Sequence, residues 1–383
     1  MQPVRERTLW LDAVRGVALF GILMVNVGVF SGPYPLSEHD PWTSMRDRFA
    51  YALVDAVFAN KFFPTFSFLF GLGFGIQLER AKSEIDGQPR AFARLWRRRM
   101  GALFVIGLAH AAFLSTIDIL VQYALLGMLL YALRRARDRT LLVVASVLLA
   151  IPVLLMFLTV RAGETGFTGY SPRHAAQMIR GYAYGTFGDF VRIRLTDLRD
   201  YYFWVAYFAG WPITAMFLTG YVAARRGLLR AVDARREGLR RLFGIALTFG
   251  LVANTARIAL DHVLYPAPTV RPMRWVLHAA LQTIGDPALA ISYVSGFALA
   301  FSRPGMERAA RVFAAIGRSA LTNYVVQSIA MSLAFFATRS FGAVAPSSAL
   351  LVGVAIYLVQ LAVAQWVRGP GPLERLWRAW TYG

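Results

Sequence analysis

Long apolar stretches recur along almost the whole chain, and they decide what it can fold into. A helix that crosses a bilayer needs about 20 mostly apolar residues. Ten stretches come close to that demand, at roughly 12–30, 60–79, 100–116, 119–133, 140–160, 201–224, 242–262, 275–301, 316–338 and 347–367. The segments between them show no soluble domain, no internal repeat and no low-complexity run. Composition agrees. Hydrophobic residues make up 57% and charged residues 16% of the 383, where a soluble chain carries about 25% charged. A disordered chain, a fibrous repeat and an ordinary soluble enzyme are excluded. The expectation is an all-α, polytopic integral membrane helix bundle of about ten transmembrane helices.

The basic residues give an independent test. Of the 41, only Lys61 and Lys82 are lysine, and the net charge is +20. Such an excess can serve nucleic acid, but beside this apolar content it reads as arginines anchoring cytoplasmic loops. With the N-terminus placed inside and the spans alternating, the inside segments hold more than twice as many basic residues as the outside ones. Both termini are therefore expected to face the cytoplasm, and no nucleic-acid partner is expected. The first stretch follows Arg5 and Arg7, as a signal peptide would, but Asp12 and Arg15 interrupt it and no small-x-small cleavage pattern follows. It reads as a retained span. The absence of cysteine excludes disulfides, thiolate metal sites and thiol catalysis.

Two regions read less simply. Residues 47–59 form an amphipathic helix on the outer surface or an extension of the second span. Residues 161–200 form a long outer loop that Tyr170, Tyr182, Tyr184 and Phe187 fold over the membrane.

Ionisable residues in lipid are costly, so each is a functional candidate. Asp12 and Arg15 are three apart, close enough to pair. Asn26 lies eleven residues past Arg15, nearly a whole number of turns, so a polar stripe runs up one face of the first span. A structural pair plus a helix-bridging amide is the other reading. In the second span, Asn60 and Lys61 precede Pro64, which can kink the helix. Lys61 can snorkel to the interface. Gly71, Gly73 and Gly75 lack the strand and turn of a nucleotide fingerprint and read as close helix packing.

His110 in the third span needs a partner, and Asp118 lies eight residues on, across a short turn before Tyr123. An imidazole oriented by a carboxylate makes a general base, and equally a satisfied buried histidine. His39, flanked by Glu38 and Asp40, sits in a loop. His278, Gln282 and Asp286 fall at four-residue steps and share a face, and Arg257 and Asp261 are four apart and read as a structural pair. No ligand spacing suggests a metal.

The run Thr8-Leu9-Trp10-Leu11-Asp12-Ala13-Val14-Arg15-Gly16, continuing to Asn26, resembles the opening signature of the YeiB-like bacterial membrane proteins. Lys61-Phe62-Phe63-Pro64 with Phe68-Leu69-Phe70-Gly71 resembles their second motif, and Gly107-Leu108-Ala109-His110 with Asp118 and Tyr123 their third. Gly317-Arg318-Ser319-Ala320-Leu321-Thr322-Asn323-Tyr324 with Gln327-Ser328, and Gly371-Pro372-Leu373-Glu374-Arg375, resemble their C-terminal half, a domain of unknown function. The resemblance runs from about residue 5 to 382. It suggests an N-terminal membrane bundle over 1–240 carrying the active site and a C-terminal bundle over 241–383, joined as one structural unit.

The family is distantly similar to transmembrane acyltransferases, among them heparan-α-glucosaminide N-acetyltransferase and the acyltransferase-3 group. The resemblance implies transfer of an acyl group from cytosolic acyl-CoA to a glycan or small polar acceptor, with no metal, in the bacterial plasma (inner) membrane. It makes His110 the general base and Asp118 its orienting carboxylate, with Asn26 and Tyr123 contacting the acyl group. Asp12, Arg15, Asn60, Lys61, Asn323 and Tyr324 then bind substrate. An acidic position of the heparan enzyme falls on Asn60, and His39 follows Asn26 at a distance similar to that enzyme's histidine, with different flanking residues, so His39 stays the alternative base. A transporter or channel for a small polar solute is the alternative, and pairing into a homodimer stays open. Convergence of His110, Asn26 and Asp118 on a tunnel open to the cytoplasm would favour the enzyme.

Overall fold

The computed structural model describes residues 3–33, 42–84, 89–162, 172–228, 232, 234–261, 273–367 and 369–382. Their regular structure is entirely helical. In chain order the helices are α1 Pro3–Ser31, α2 Met45–Leu53, α3 Phe62–Glu84, α4 Pro89–Phe113, α5 Leu120–Ala132 and α6 Asp138–Arg161. Next come α7 Pro172–Ile179, α8 Phe187–Trp204, α9 Gly210–Arg225, α10 Arg236–Ala259 and α11 Met273–Phe301. The chain finishes with α12 Glu307–Gly317, α13 Ala320–Ser332, α14 Pro346–Trp366 and α15 Pro372–Tyr382.

Eight stretches among the described residues are long and apolar enough to cross a membrane. This is a multi-pass membrane protein, and α6 and α10 turn residues such as Val147 and Phe249 outward, where lipid accepts them. The expected spans at 100–116 and 119–133 fall outside those eight. Arg97, Arg98 and Arg99 enter the first half of α4, and α5 is only 13 residues long. The two pack instead as a hairpin across a short turn.

Other boundaries shift for local reasons. The stretch at 201–224 begins earlier, because α8 runs into α9 through a π-helical turn at Val205–Ala209. The charges of α8 make it look like a loop by composition. Tyr182 is buried against Phe336 and Phe341, so this region does fold onto the bundle, but Tyr184 and Phe187 are exposed. Tyr170 and His39 lie outside the described residues. The stretch at 316–338 is broken between α12 and α13. The segment 47–59 is α2 plus a π turn, and it joins α3 through Asn60, which takes a left-handed φ of 60°. The chain therefore turns at Asn60, and Pro64 sits in the first turn of α3, where its missing N–H costs nothing.

Glycines set the closest contacts. A Cβ on Gly16 would stand 2.1 Å from the Phe313 carbonyl oxygen, and one on Gly317 1.8 Å from that of Asp12, so α1 and α12 touch backbone to backbone. Gly71 and Gly220 do the same for α3 and α9, at 2.0 Å from Phe217 O and 2.1 Å from Phe68 O. Gly75 meets Ala224, which bears out the packing reading of the glycine run, whereas Gly73 faces the Arg15 guanidinium.

At the far end of α3 a charge network fastens the 54–61 turn to α10 and α11. Arg257 binds both Asp55 carboxylate oxygens at 2.9 Å and Asp261 at 3.3 Å. Asp261 also meets His278 Nδ1 at 3.0 Å and Arg274 at 3.7 Å. Lys61 donates to the Asp55 carbonyl at 2.6 Å and lies 3.9 Å from Asp286. Its side chain is 1% exposed, so it does not snorkel. Asp286 pairs with Lys61, and Gln282 lies on the same helix face, between His278 and Asp286.

Two stability outcomes follow from this packing. Gly16→Val should lower the melting temperature in detergent, since overpacking a tight contact costs about 1–3 kcal/mol. Gly101→Ala, which meets nothing within 4 Å, should leave it unchanged or raise it. Lys61→Met should cost about 3–5 kcal/mol by stranding Asp286, and Lys61→Met with Asp286→Leu should recover most of that loss; a thermal double-mutant cycle measures both.

Candidate functional site

The turn between α4 and α5 carries the site. α4 ends at Phe113, and its last turn holds His110. Asp118 follows in the turn, where its Oδ2 accepts the Val121 N–H at 2.8 Å and so caps the start of α5. Its other oxygen, Oδ1, lies 2.9 Å from His110 Nδ1. The Asp118 carbonyl accepts the Gln122 amide at 2.7 Å and the Tyr201 hydroxyl at 2.9 Å, which ties the turn to α8. Tyr324 donates to the Ile117 carbonyl at 3.2 Å and sets its ring 4.9 Å from the imidazole. His110 Nε2 lies 2.9 Å from Ser328 Oγ on α13. His110, Asp118 and Ser328 are each no more than 2% exposed.

A carboxylate only accepts, so in the neutral imidazole Nδ1 carries the hydrogen and Nε2 presents a lone pair to the serine hydroxyl. The three side chains form a serine–imidazole–carboxylate line inside the bundle. Ser328 stood in the sequence only as part of a motif, because 218 residues separate it from His110 and no spacing rule reaches that far.

Beside this line runs a cavity of about 1260 Å³. Deep pockets for drug-sized ligands reach about 1,000 Å³, so this one suits a larger molecule. Five arginines contribute to its wall, namely Arg15, Arg80, Arg99, Arg318 and Arg378, against Asp12, Glu79 and Glu374. Asp12 is committed to Arg15 at 2.8 Å. Glu374 is committed to the start of α13, accepting from Leu321 N at 2.7 Å and Thr322 N at 3.1 Å. The remaining balance is cationic. Away from these charges the wall is apolar and aromatic, including Phe66, Phe70, Ile119, Leu120 and Tyr123. Tyr324 belongs both to this wall and to the His110 contact, so one aromatic residue joins the cavity wall to the imidazole.

The expected site residues divide accordingly. His110 and Asp118 meet, and Asp12, Arg15, Tyr123 and Tyr324 line the adjoining cavity. Tyr123 presents its ring there, but its hydroxyl is 2.8 Å from Ser67 Oγ and 3.2 Å from the Phe63 carbonyl, so it is spent on α3. Asn26 is buried and makes no hydrogen bond with His110 or Asp118 among the described residues. The stripe up α1 reaches the cavity at Arg15 and does not continue along it, because sharing a helix face does not mean sharing a neighbour. Asn323 donates to the carbonyls of Ile316 and Ser319 at 3.1 and 3.0 Å and closes the end of α12. Asn60 and Lys61 belong to the separate charge network. Among the described residues no group of His, Asp and Glu could hold a metal.

Comparisons with known proteins bear on the family of the chain. Residues 223–383 match the family described as "Protein of unknown function (DUF418)". YxaH of Bacillus subtilis is 32% identical over the whole of this chain and 96% of its own length. YeiB of Escherichia coli is 27% identical over 98% of this chain and 96% of its own. A 39.9 kDa protein from the amylase 3′ region of Bacillus acidopullulyticus is 27% identical over the full chain. All three carry the description "uncharacterized", and no solved structure matches. With a likeness that extends from end to end and carries the DUF418 half, the chain belongs to the YeiB-like family of membrane proteins.

Proposed function

We propose that the chain is an integral membrane acyltransferase of the bacterial plasma membrane. It takes an acyl group from cytosolic acyl-CoA and passes it to a small polar or glycan acceptor. The arginine-rich end faces the cytoplasm, as the bias of basic residues favours. One observation carries the reading: a large cavity, cationic in one part and apolar in the other, adjoins a buried imidazole held by a carboxylate.

The wall suits the two parts of that donor. Arginines attract and fork onto phosphates, so Arg15, Arg99, Arg318 and Arg378 would hold the pyrophosphate and ribose phosphate. The apolar wall around Phe66, Phe70 and Leu120 would take the acyl chain. Acyl transfer needs a base to draw a proton from a hydroxyl or amine. His110 supplies it, and Asp118 holds the ring in the productive tautomer and stabilises its charged form. Burial strengthens both effects, because charges interact more strongly where water is excluded.

A pathway for a polar solute has less support. The polar residues of α10 and α11 are spent on one another, and Lys61, Arg257, Asp261 and Asp286 contribute nothing to the cavity wall.

The purified chain in detergent or nanodiscs should transfer label from acyl-CoA to an envelope extract. His110→Ala should cut the rate by about 10²–10⁴-fold, the usual worth of a general base, in a variant that a melting transition shows to be still folded. Arg318→Ala should chiefly raise KM for acyl-CoA. Solute accumulation by proteoliposomes with no acyl donor, together with no label transfer, would replace this reading with transport.

A further inference from the structure

A base aimed at an incoming acceptor would leave Nε2 facing open space. Here Nε2 faces Ser328, 2.9 Å away. We propose that Ser328 is the nucleophile, so that the acyl group passes through an ester on this side chain. The donor in this scheme rests on the acyltransferase reading, whereas the nucleophile rests on its own geometry.

Three observations separate Ser328 from an ordinary serine of a membrane helix. Such serines and threonines usually return their hydroxyl to the carbonyl four residues back. Thr65, Ser67 and Ser295 do so here at 2.8, 2.8 and 2.7 Å. Ser328 stands 3.4 Å from its own such carbonyl, that of Tyr324, and turns to the imidazole instead. Second, in the neutral imidazole Nδ1 holds the ring hydrogen against Asp118, so the hydrogen between Oγ and Nε2 is the serine's. That is the arrangement of an activated nucleophile: a hydroxyl, a base, and a third group orienting the base. Third, Ser115, in the turn between His110 and Asp118, is buried with a hydroxyl that has no hydrogen-bond partner. Its N–H binds the His110 carbonyl at 2.9 Å. A spare buried donor in this turn suits the oxyanion that acyl transfer creates.

The chemistry balances without any further reagent. Ser328 Oγ attacks the thioester carbonyl as Nε2 takes its proton. The carbon–sulfur bond breaks, and the departing thiolate receives that proton from the imidazolium. Ser328 now carries the acyl ester. An acceptor hydroxyl then gives its proton to Nε2 and attacks the ester carbonyl. The bond to Ser328 Oγ breaks, and the proton returns to Oγ. The sum is thioester plus alcohol to ester plus thiol, and Asp118 stays ionised throughout. Tyr324, one turn before Ser328 and part of the cavity wall, must swing aside for the carbonyl to reach Oγ.

The test uses the full chain in detergent. A small fluorophosphonate, which reports an activated serine whatever the natural donor, should label Ser328 as located by peptide mass spectrometry. Ser328→Ala should remove the label, and His110→Ala or Asp118→Asn should slow labelling by about 100-fold or more. Labelled acyl-CoA should leave an acyl mass on Ser328 that an envelope extract removes. Ser328→Cys should hold the acyl group as a thioester cleaved by hydroxylamine, a readout that a structural serine would not give. Melting temperatures confirm that each variant is folded. No fluorophosphonate label on Ser328 in the wild-type chain overturns the proposal. Undiminished transfer from acyl-CoA by Ser328→Ala also overturns it, and leaves His110 as a direct base and the acyltransferase reading intact. Labelling of Ser328 by the fluorophosphonate without any reaction with acyl-CoA upholds the nucleophile and overturns the donor.

Discussion

The first N–H groups of a helix have no partner within it, and in a bilayer there is no water to supply one. Each place where a helix starts inside this bundle therefore has to bring its own acceptor. Glu374 reaches from α15 to the first N–H groups of α13, at 2.7 and 3.1 Å. Asp47 of α2 accepts from Ser347 N at the head of α14, at 3.1 Å. Asp118 accepts from Val121 N at the head of α5. A carboxylate also suits the positive end of the helix dipole. A cap of this kind uses one carboxylate oxygen on the helix. At Glu374 and Asp47 further bonds to Thr322 and Ser44 take up the rest. At Asp118 the second oxygen goes to His110, so one residue both starts a helix and orients an imidazole.

Much of the fold could be read from apolar run length, because lipid imposes that demand on any spanning helix. The hairpin that pairs His110 with Asp118 was also legible, since eight residues across a short turn leave few other outcomes. Asp12 and Arg15 paired as their spacing implied. What could not be read is contact between distant helices. A helix apolar on all sides has no face for periodicity to mark, so Asn26 gave no sign of which helix it meets. Lys61 looked like a snorkelling end residue because its partners, Asp55 and Asp286, are brought to it by a left-handed turn at Asn60. Composition misled at α8, whose arginines and aspartates read as a loop yet continue into α9.

The bundle holds two polar clusters of opposite character. Around Arg257 the charges close on one another: Lys61, Arg257 and Arg274 stand against Asp55, Asp261 and Asp286, with His278 on Asp261. Three cations and three anions cancel. A network so balanced is costly to break from one side, which makes it a fastening between α3, α10 and α11.

The line through His110 ends differently. Asp118 gives one oxygen to Val121 and the other to the imidazole, the imidazole binds Asp118 and Ser328, and the serine oxygen keeps lone pairs and a 3.4 Å approach to its own backbone. The carboxylate sits at one end of the line, hydrogen-bonded through both oxygens, and the hydroxyl sits at the other. Reactivity needs that asymmetry. A closed network holds its protons where they are, whereas an open line can move one from Ser328 to His110 whenever an electrophile comes to rest on the free end. Tyr324 joins that imidazole to the cavity, whose wall carries arginines as well as an apolar and aromatic part.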